Sequence, residues 1–212
     1  MPSVSVRADI KAASRHLTAI QKKQIPFAAS QALNDTAFDA RKAVQVQLPR
    51  KLNKPTPWTI RGVRVNKSSK RRLTSAVYFT ADRAKYMKFQ IDGGTRRRPS
   101  GGTIVMPKGI KQNKYGNIPR GKVKKLLQRP DTFIGTIKGI PGVWQRGHIS
   151  KSGKFSARTK SRASNIRLLV RFEDEATYQP RFPMRKIVHG VARSKFTRHF
   201  GRRLASAVRT AR

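Results

Sequence analysis

Two kinds of side chain in this sequence can do chemistry, carboxylates and basic groups, and their numbers are very unequal. The nine carboxylates are Asp9, Asp35, Asp39, Asp82, Asp92, Asp131, Glu173, Asp174 and Glu175. Metal-assisted phosphodiester cleavage needs at least two of them within about 4 Å of shared cations. In the middle of the chain only Asp82, Asp92, Asp131 and the run 173–175 are available for that. Consecutive residues of an extended strand point to opposite faces, so the run reads as ion-pairing or as a turn that ends a strand. The histidines, His16, His148, His189 and His199, show no metal-ligand spacing and read as surface residues. There is no cysteine, which removes a thiol nucleophile, a zinc ribbon and a disulfide framework together. Gly93-Gly94 and Gly101-Gly102 lack the Gly-Lys-Ser/Thr ending of a phosphate-binding loop. The expectation is therefore a protein without catalytic residues, metal or cofactor. A basic nuclease stands as a rival, with Asp92 and Glu173 as the residues to test.

The basic side chains carry the stronger signal. The chain has 212 residues with 49 Lys+Arg against 9 Asp+Glu, a formal charge of +40. Between Asp92 and Asp131 there are eleven Lys/Arg, between Asp131 and Glu173 nine, and after Glu175 ten, with no acid in any of the three gaps. Basicity is thus spread through segments with strand and helix patterns, not confined to a tail. Like charges at this density repel one another, so the composition calls for a polyanion, for neighbouring subunits, or for both. The candidate nucleic-acid contacts are Lys67, Lys70, Arg71 and Arg72; Arg96, Arg97 and Arg98; Lys122, Lys124 and Lys125; Arg158, Lys160 and Arg162; and Arg202 with Arg203. No helix-turn-helix, zinc or β-ribbon module stands out, and aromatics are sparse beside the clusters. The reading is non-specific neutralisation of duplex phosphates. A ribosomal or other RNA-scaffold protein shares the high basicity and is the second rival.

The elements that position these residues give an α+β fold in one domain with three parts. In the first part, residues 1–49, Ile10, Ala13, Leu17 and Ile20 recur at helical spacing after Asp9, and Pro26 ends that helix. A second helix begins at Pro26, carries Ala29, Leu33, Ala37, Ala40, Val44 and Leu48, and stops at Pro49. Its acids, Asp35 and Asp39, suggest a face turned from any polyanion toward a basic neighbour. The second part, 50–175, reads as a mainly antiparallel sheet with long basic loops. Its strands fall at 58–65, 76–80, 86–92, 102–106, 132–138 and 166–172. A basic hairpin-like connection spans 67–72, loops occupy 92–102, 107–121 and 147–164, and a short helix covers 122–128. The third part, 181–212, is a long C-terminal helix opened by Pro183, with Met184, Ile187, Val188, Val191, Phe196, Phe200, Leu204 and Val208 as its apolar stripe. It packs on one face of the sheet. No apolar run is long enough to span a bilayer, and Met1–Arg7 lacks the apolar core of a signal peptide.

The segment Gln24-Ile25-Pro26-Phe27-Ala28-Ala29-Ser30-Gln31-Ala32-Leu33-Asn34-Asp35-Thr36-Ala37, followed by an alanine-rich helix and Arg/Lys-rich strands, resembles the minor tail protein Z family of lambdoid bacteriophages. Tyr86-Met87-Lys88-Phe89-Gln90-Ile91-Asp92-Gly93-Gly94-Thr95 is similar to the Tyr-x-x-x-x-Glu-x-Gly-Thr turn of phage tail-completion and neck components. Gln90 or Asp92 stands at the acidic position, and there is an added glycine. The resemblance implies a virion structural protein of the head–tail junction, assembled in the host cytoplasm. Its implied partners are copies of itself in a ring, other neck and tail proteins, and double-stranded DNA held non-specifically, with no membrane. It brings no catalytic residue to carry across.

Overall fold

The computed structural model describes residues 2–7, 19–98, 100, 102–149, 155–156 and 165–210. In chain order the elements are β1 (Ser3–Arg7), α1 (Ala19–Lys51), α2 (Pro57–Arg61), β2 (Val63–Asn66), β3 (Thr74–Phe79), α3 (Ala81–Ile91) and β4 (Gly94–Arg97). Then follow β5 (Ile104–Pro107), α4 (Lys122–Leu127), β6 (Thr132–Ile137), β7 (Ile140–Ile149), β8 (Phe155–Ser156), β9 (Asn165–Glu173), β10 (Glu175–Tyr178) and α5 (Met184–Arg209). The fold is α+β, with antiparallel strand pairs and a long C-terminal helix lying on a sheet. The chain forms two compact units, Met1–Gly94 with Gln179–Arg212, and Thr95–Tyr178. This division does not follow the three parts read from the sequence, because the N-terminal and C-terminal helices share one unit.

In the first unit the strands run in the order β1-β3-β2. Val4 pairs with Val77, and Val65 pairs with the same residue from the other side, so each strand places its apolar positions in one row. Val4, Val63, Val77 and Phe79 from the sheet, Ala40, Val44 and Leu48 from α1, Met87 from α3, Phe182 just before α5, and Met184 and Val188 from the start of α5 make one buried core. α5 therefore rests on the sheet and also runs beside α1.

Several expectations are corrected here. Pro26 does not separate two helices: α1 is one helix of 33 residues with Pro26 and Pro49 inside it. Each proline removes one amide donor from the ladder. That loss is outweighed by the continuous buried stripe of Ala28, Ala29, Ala32, Leu33, Ala37, Ala40, Val44 and Leu48. The part of the expected first helix at 9–18 lies outside the described residues. Of the strand expected at 58–65, the first half is α2. Pro57 occupies its first turn, and the Thr56 hydroxyl accepts a hydrogen bond from the Thr59 amide at 3.2 Å. The strand expected at 86–92 belongs to α3. Met87, Phe89 and Ile91 alternate, but Ala84 and Met87, three residues apart, are the buried pair, and helical spacing decides. The expected loop 92–102 contains β4, which pairs with β10.

The second unit is built on a sheet with the strand path β5-β9-β7-β6, and β8 pairs with β7. Ile110, Leu126, Val143, Leu169 and Val170 form its core. Strands at 102–106, 132–138 and 166–172 correspond to β5, β6 and β9, and the helix at 122–128 corresponds to α4. The interior strand β7 was not expected: the sequence reading places no element over 139–146, and the last residues of β7 fall in the expected loop 147–164. Gly142 is there because the strands approach closely. A Cβ at this position would collide with the Val170 carbonyl.

Leu48 is fully buried at the junction of α1 with the sheet. Leu48→Ala should lower the unfolding free energy by about 2–5 kcal/mol, read from urea denaturation followed by circular dichroism.

Candidate nucleic-acid interface

The connection between β2 and β3 brings the first basic cluster to one place. Lys67, Lys70, Arg71 and Arg72 are all exposed on it. A tight turn closes it, with the Ser69 amide donating to the Arg72 carbonyl at 2.9 Å and the Arg72 amide donating back at 3.1 Å. The turn is also fastened to α1. Buried Ser68 donates its amide to Asn34 Oδ1 at 2.8 Å and its hydroxyl to the Ser30 carbonyl at 2.8 Å, while Asn34 Nδ2 donates to the Ser68 carbonyl at 3.3 Å. The side-chain amide thus imitates a neighbouring strand, giving the loop both a donor and an acceptor.

Aromatic rings on α1 hold the long cations of this connection. Lys70 Nζ lies 4.8 Å from the centroid of the Phe27 ring, and Lys67 Nζ lies 5.6 Å from that of Phe38. The Arg41 guanidinium sits 5.3 Å from the same Phe38 ring. Such contacts favour a cation over a ring face without neutralising it. Asn34, Phe27, Phe38 and Arg41 escaped the sequence reading. Phe27 and Asn34 were visible as letters of the helix motif, but only the fold brings residues so distant in sequence to the hairpin.

On another side of α1 the two acids meet α5. Arg203 forms a bidentate pair with Asp35, with Nε at 2.7 Å and Nη2 at 2.8 Å, and Arg202 reaches Asp35 at 3.4 Å. Asp39 accepts from Lys195 at 3.0 Å and contacts His199 Nε2 at 3.0 Å, while Arg202 lies 3.0 Å from His199 Nδ1. The basic neighbour expected for Asp35 and Asp39 is therefore the chain's own C-terminal helix. Arg203, expected as a nucleic-acid contact, is engaged in this internal pair with its side chain 40% exposed; Arg202 shares in the pairing but keeps most of its side chain in solvent. His199 is a further correction, being buried and not at the surface. The hydrogen bond from Arg203 holds the Asp35 carboxyl below its ordinary value, against the opposing effect of burial. At Asp39, burial pushes upward, but the hydrogen bonds and charges of Lys195 and His199 outweigh it and the net direction is down.

The remaining clusters belong to the second unit. Arg96 and Arg97 are exposed on β4; Arg98 is exposed too, with its guanidinium 3.2 Å from Asp174. Lys124 and Lys125 are exposed on α4, and Lys122 is partly covered. Arg158, Lys160 and Arg162 lie outside the described residues. The acidic run is divided between two strands by Asp174, and Glu173 pairs with Arg171 of the same chain at 2.6 Å. Asp131 is buried, held by Arg129 at 2.9 and 2.6 Å and by Gln145 at 2.7 Å. Burial raises its pKa, but those partners bring it below the ordinary carboxylate value. Among the described residues no three His, Asp or Glu side chains gather as a metal site, and no helix is long and apolar enough to cross a membrane.

Compared with protein-family models, with curated proteins and with solved structures, the chain matches none.

Two predictions come from this geometry. Asn34→Ala should remove the clamp on Ser68 at a cost of about 1–3 kcal/mol, seen as faster hydrogen exchange at the Ser68 amide with the α5 amides unchanged. Because the Asp35 and Asp39 values are depressed in the folded state, their contribution is present in full above the ordinary carboxylate value of 3.8. It is lost as pH falls through the depressed values. Asp35→Asn should therefore flatten the loss of stability below that value, measured as melting temperature against pH.

Proposed function

We propose that the protein is a structural component of a bacteriophage virion at the head–tail junction, assembled as a ring and holding duplex DNA by non-specific phosphate contacts. The observation that carries this reading is how the acids are used. Asp35, Asp39, Asp82, Asp92, Asp131, Glu173 and Asp174 all stand in ion pairs within the chain. Among the described residues the basic side chains in these pairs include Lys85, Arg98, Arg129, Arg171, Arg185, Lys195, Arg202 and Arg203, and 9 Asp+Glu can offset only a small part of 49 Lys+Arg. A large positive excess is left for an outside polyanion, and the fastened β2–β3 hairpin presents part of it in a fixed arrangement.

The charge also favours assembly as a ring. Copies around a channel add their fields on an enclosed duplex, which then screens the repulsion between them. Phosphate contact needs no element built to read base edges, in keeping with the lack of a helix-turn-helix, zinc or β-ribbon pattern in the sequence. The resemblance of 24–37 to the minor tail protein Z family and of 86–95 to tail-completion and neck components supports a duplex at the end of a packaged genome as the partner.

The test is the salt dependence of duplex binding. Each phosphate that is no longer neutralised should reduce the slope of log affinity against log salt by about 0.9. Replacing Lys67, Lys70, Arg71 and Arg72 by Gln should flatten it by about 3 to 4, and replacing Arg96, Arg97 and Arg98 by about 3. Neither set should alter sequence preference. An unchanged slope would make the segment a protein contact, and a marked preference for folded RNA over duplex DNA would favour the RNA-scaffold alternative.

A further inference from the structure

A second stripe of α1 and α5 is left uncovered by the core. Within the first unit the two helices run antiparallel, since Asp35 pairs with Arg203 and Asp39 with Lys195. Their inner positions, Ala40, Val44, Leu48, Met184 and Val188, fill the core. Beside these, Ala43 and Val46 of α1 and Gly190 and Val191 of α5 line an open groove of about 600 Å³. Val46 is 46% exposed, and a Cβ added at Gly190 would meet nothing within 4 Å. Exposed Lys42 and Lys186 stand on its rim, and the Asp39–Lys195 pair borders it.

We propose that this groove between α1 and α5 is a docking site for an acidic amphipathic helix of another protein. Two antiparallel helices offer a third helix a natural cleft. Helix-in-groove recognition places apolar side chains of the guest at i, i+3, i+4 and i+7. The floor suits such a row, with Gly190 leaving room for a large anchor. The lysine rim selects the guest's flanks, which must be Glu or Asp. A duplex gains nothing from an apolar floor. A second copy of this chain is a poor guest: Asp35 and Asp39 are already engaged with α5, and the same groove on that copy would bring its own Lys42 and Lys186 against this rim. The proposal is independent of the DNA reading.

The probe is a synthetic peptide about five turns long, with leucines at i, i+3, i+4 and i+7 and glutamates beside them, labelled for fluorescence anisotropy. A scrambled peptide of the same composition controls for attraction to a chain of this charge. At physiological salt the full-length protein should bind the patterned peptide at least about tenfold more tightly than the scrambled one. Gly190→Leu fills the floor with a better helix former and should abolish that preference while leaving duplex DNA binding unchanged. Val46→Glu, at an exposed position, should do the same without touching the core. Equal binding of the two peptides, or a preference that survives both substitutions, would overturn the proposal. So would a change of oligomeric state on Gly190→Leu without peptide, which would make a second copy the occupant.

Discussion

The first unit depends on one electrostatic arrangement, the seating of α5 on α1 through Asp35 and Asp39. α5 brings Lys195, Arg202 and Arg203 against its neighbour, and without opposing charge that approach would be repulsive. The Asp35–Arg203 fork is the strong member of the set, two charge-assisted hydrogen bonds in parallel. Its partial burial raises its strength above that of an exposed pair. Removing Asp35 would leave Arg202 and Arg203 side by side on a basic helix with no opposing charge between them. Apolar burial at Val44, Leu48 and Val188 gives the two helices their affinity, and the carboxylates fix which faces meet.

Once α1 is seated in this way, its other faces become usable. One face carries Ser30 and Asn34, which hold the Ser68 backbone, and Phe27 and Phe38, which hold Lys70 and Lys67. Another carries Ala43 and Val46 beside α5. A single helix thus divides its surface among the sheet, the basic hairpin and an open groove, and its length makes room for all of them. Two internal prolines are tolerated because each costs one backbone hydrogen bond while the buried alanine and leucine stripe spans most of the helix.

The sequence showed most where the physics is local. Helical spacing from Ala29 to Leu48 and from Met184 to Val208, the hairpin at 67–72 and the strands β3, β6 and β9 were all readable. It misled where one pattern fits two periods, as at Met87, Phe89 and Ile91, and it marked no element at β7, where a glycine is present for a tertiary reason, as with Gly142 under the Val170 carbonyl. The basic clusters were legible as charge, but their division between solvent and internal pairing was not. Arg203 and Lys70 look alike in the sequence; one lies in a carboxylate fork and the other over a phenyl ring. That difference is set by contacts between residues far apart in the chain, which no local pattern encodes.

A fastened hairpin and a loose basic arm of equal charge bind phosphates differently. An arm must lose backbone and side-chain freedom on contact, at about 0.5–1.5 kcal/mol for each long side chain immobilised. Here the Asn34–Ser68 clamp has already fixed the backbone, and the rings of Phe27 and Phe38 restrict Lys70 and Lys67 before any ligand arrives. Lysine over a phenyl face remains charged and keeps donors for an incoming phosphate oxygen, whereas arginine in a carboxylate fork has used its matching edge. The cations of this hairpin are thus spaced by the fold, and more of their Coulombic attraction remains as binding. Under the function proposed above, the same rigidity would keep the hairpin from following base-dependent detail, and its contacts with a duplex would be made to phosphates and not to base edges.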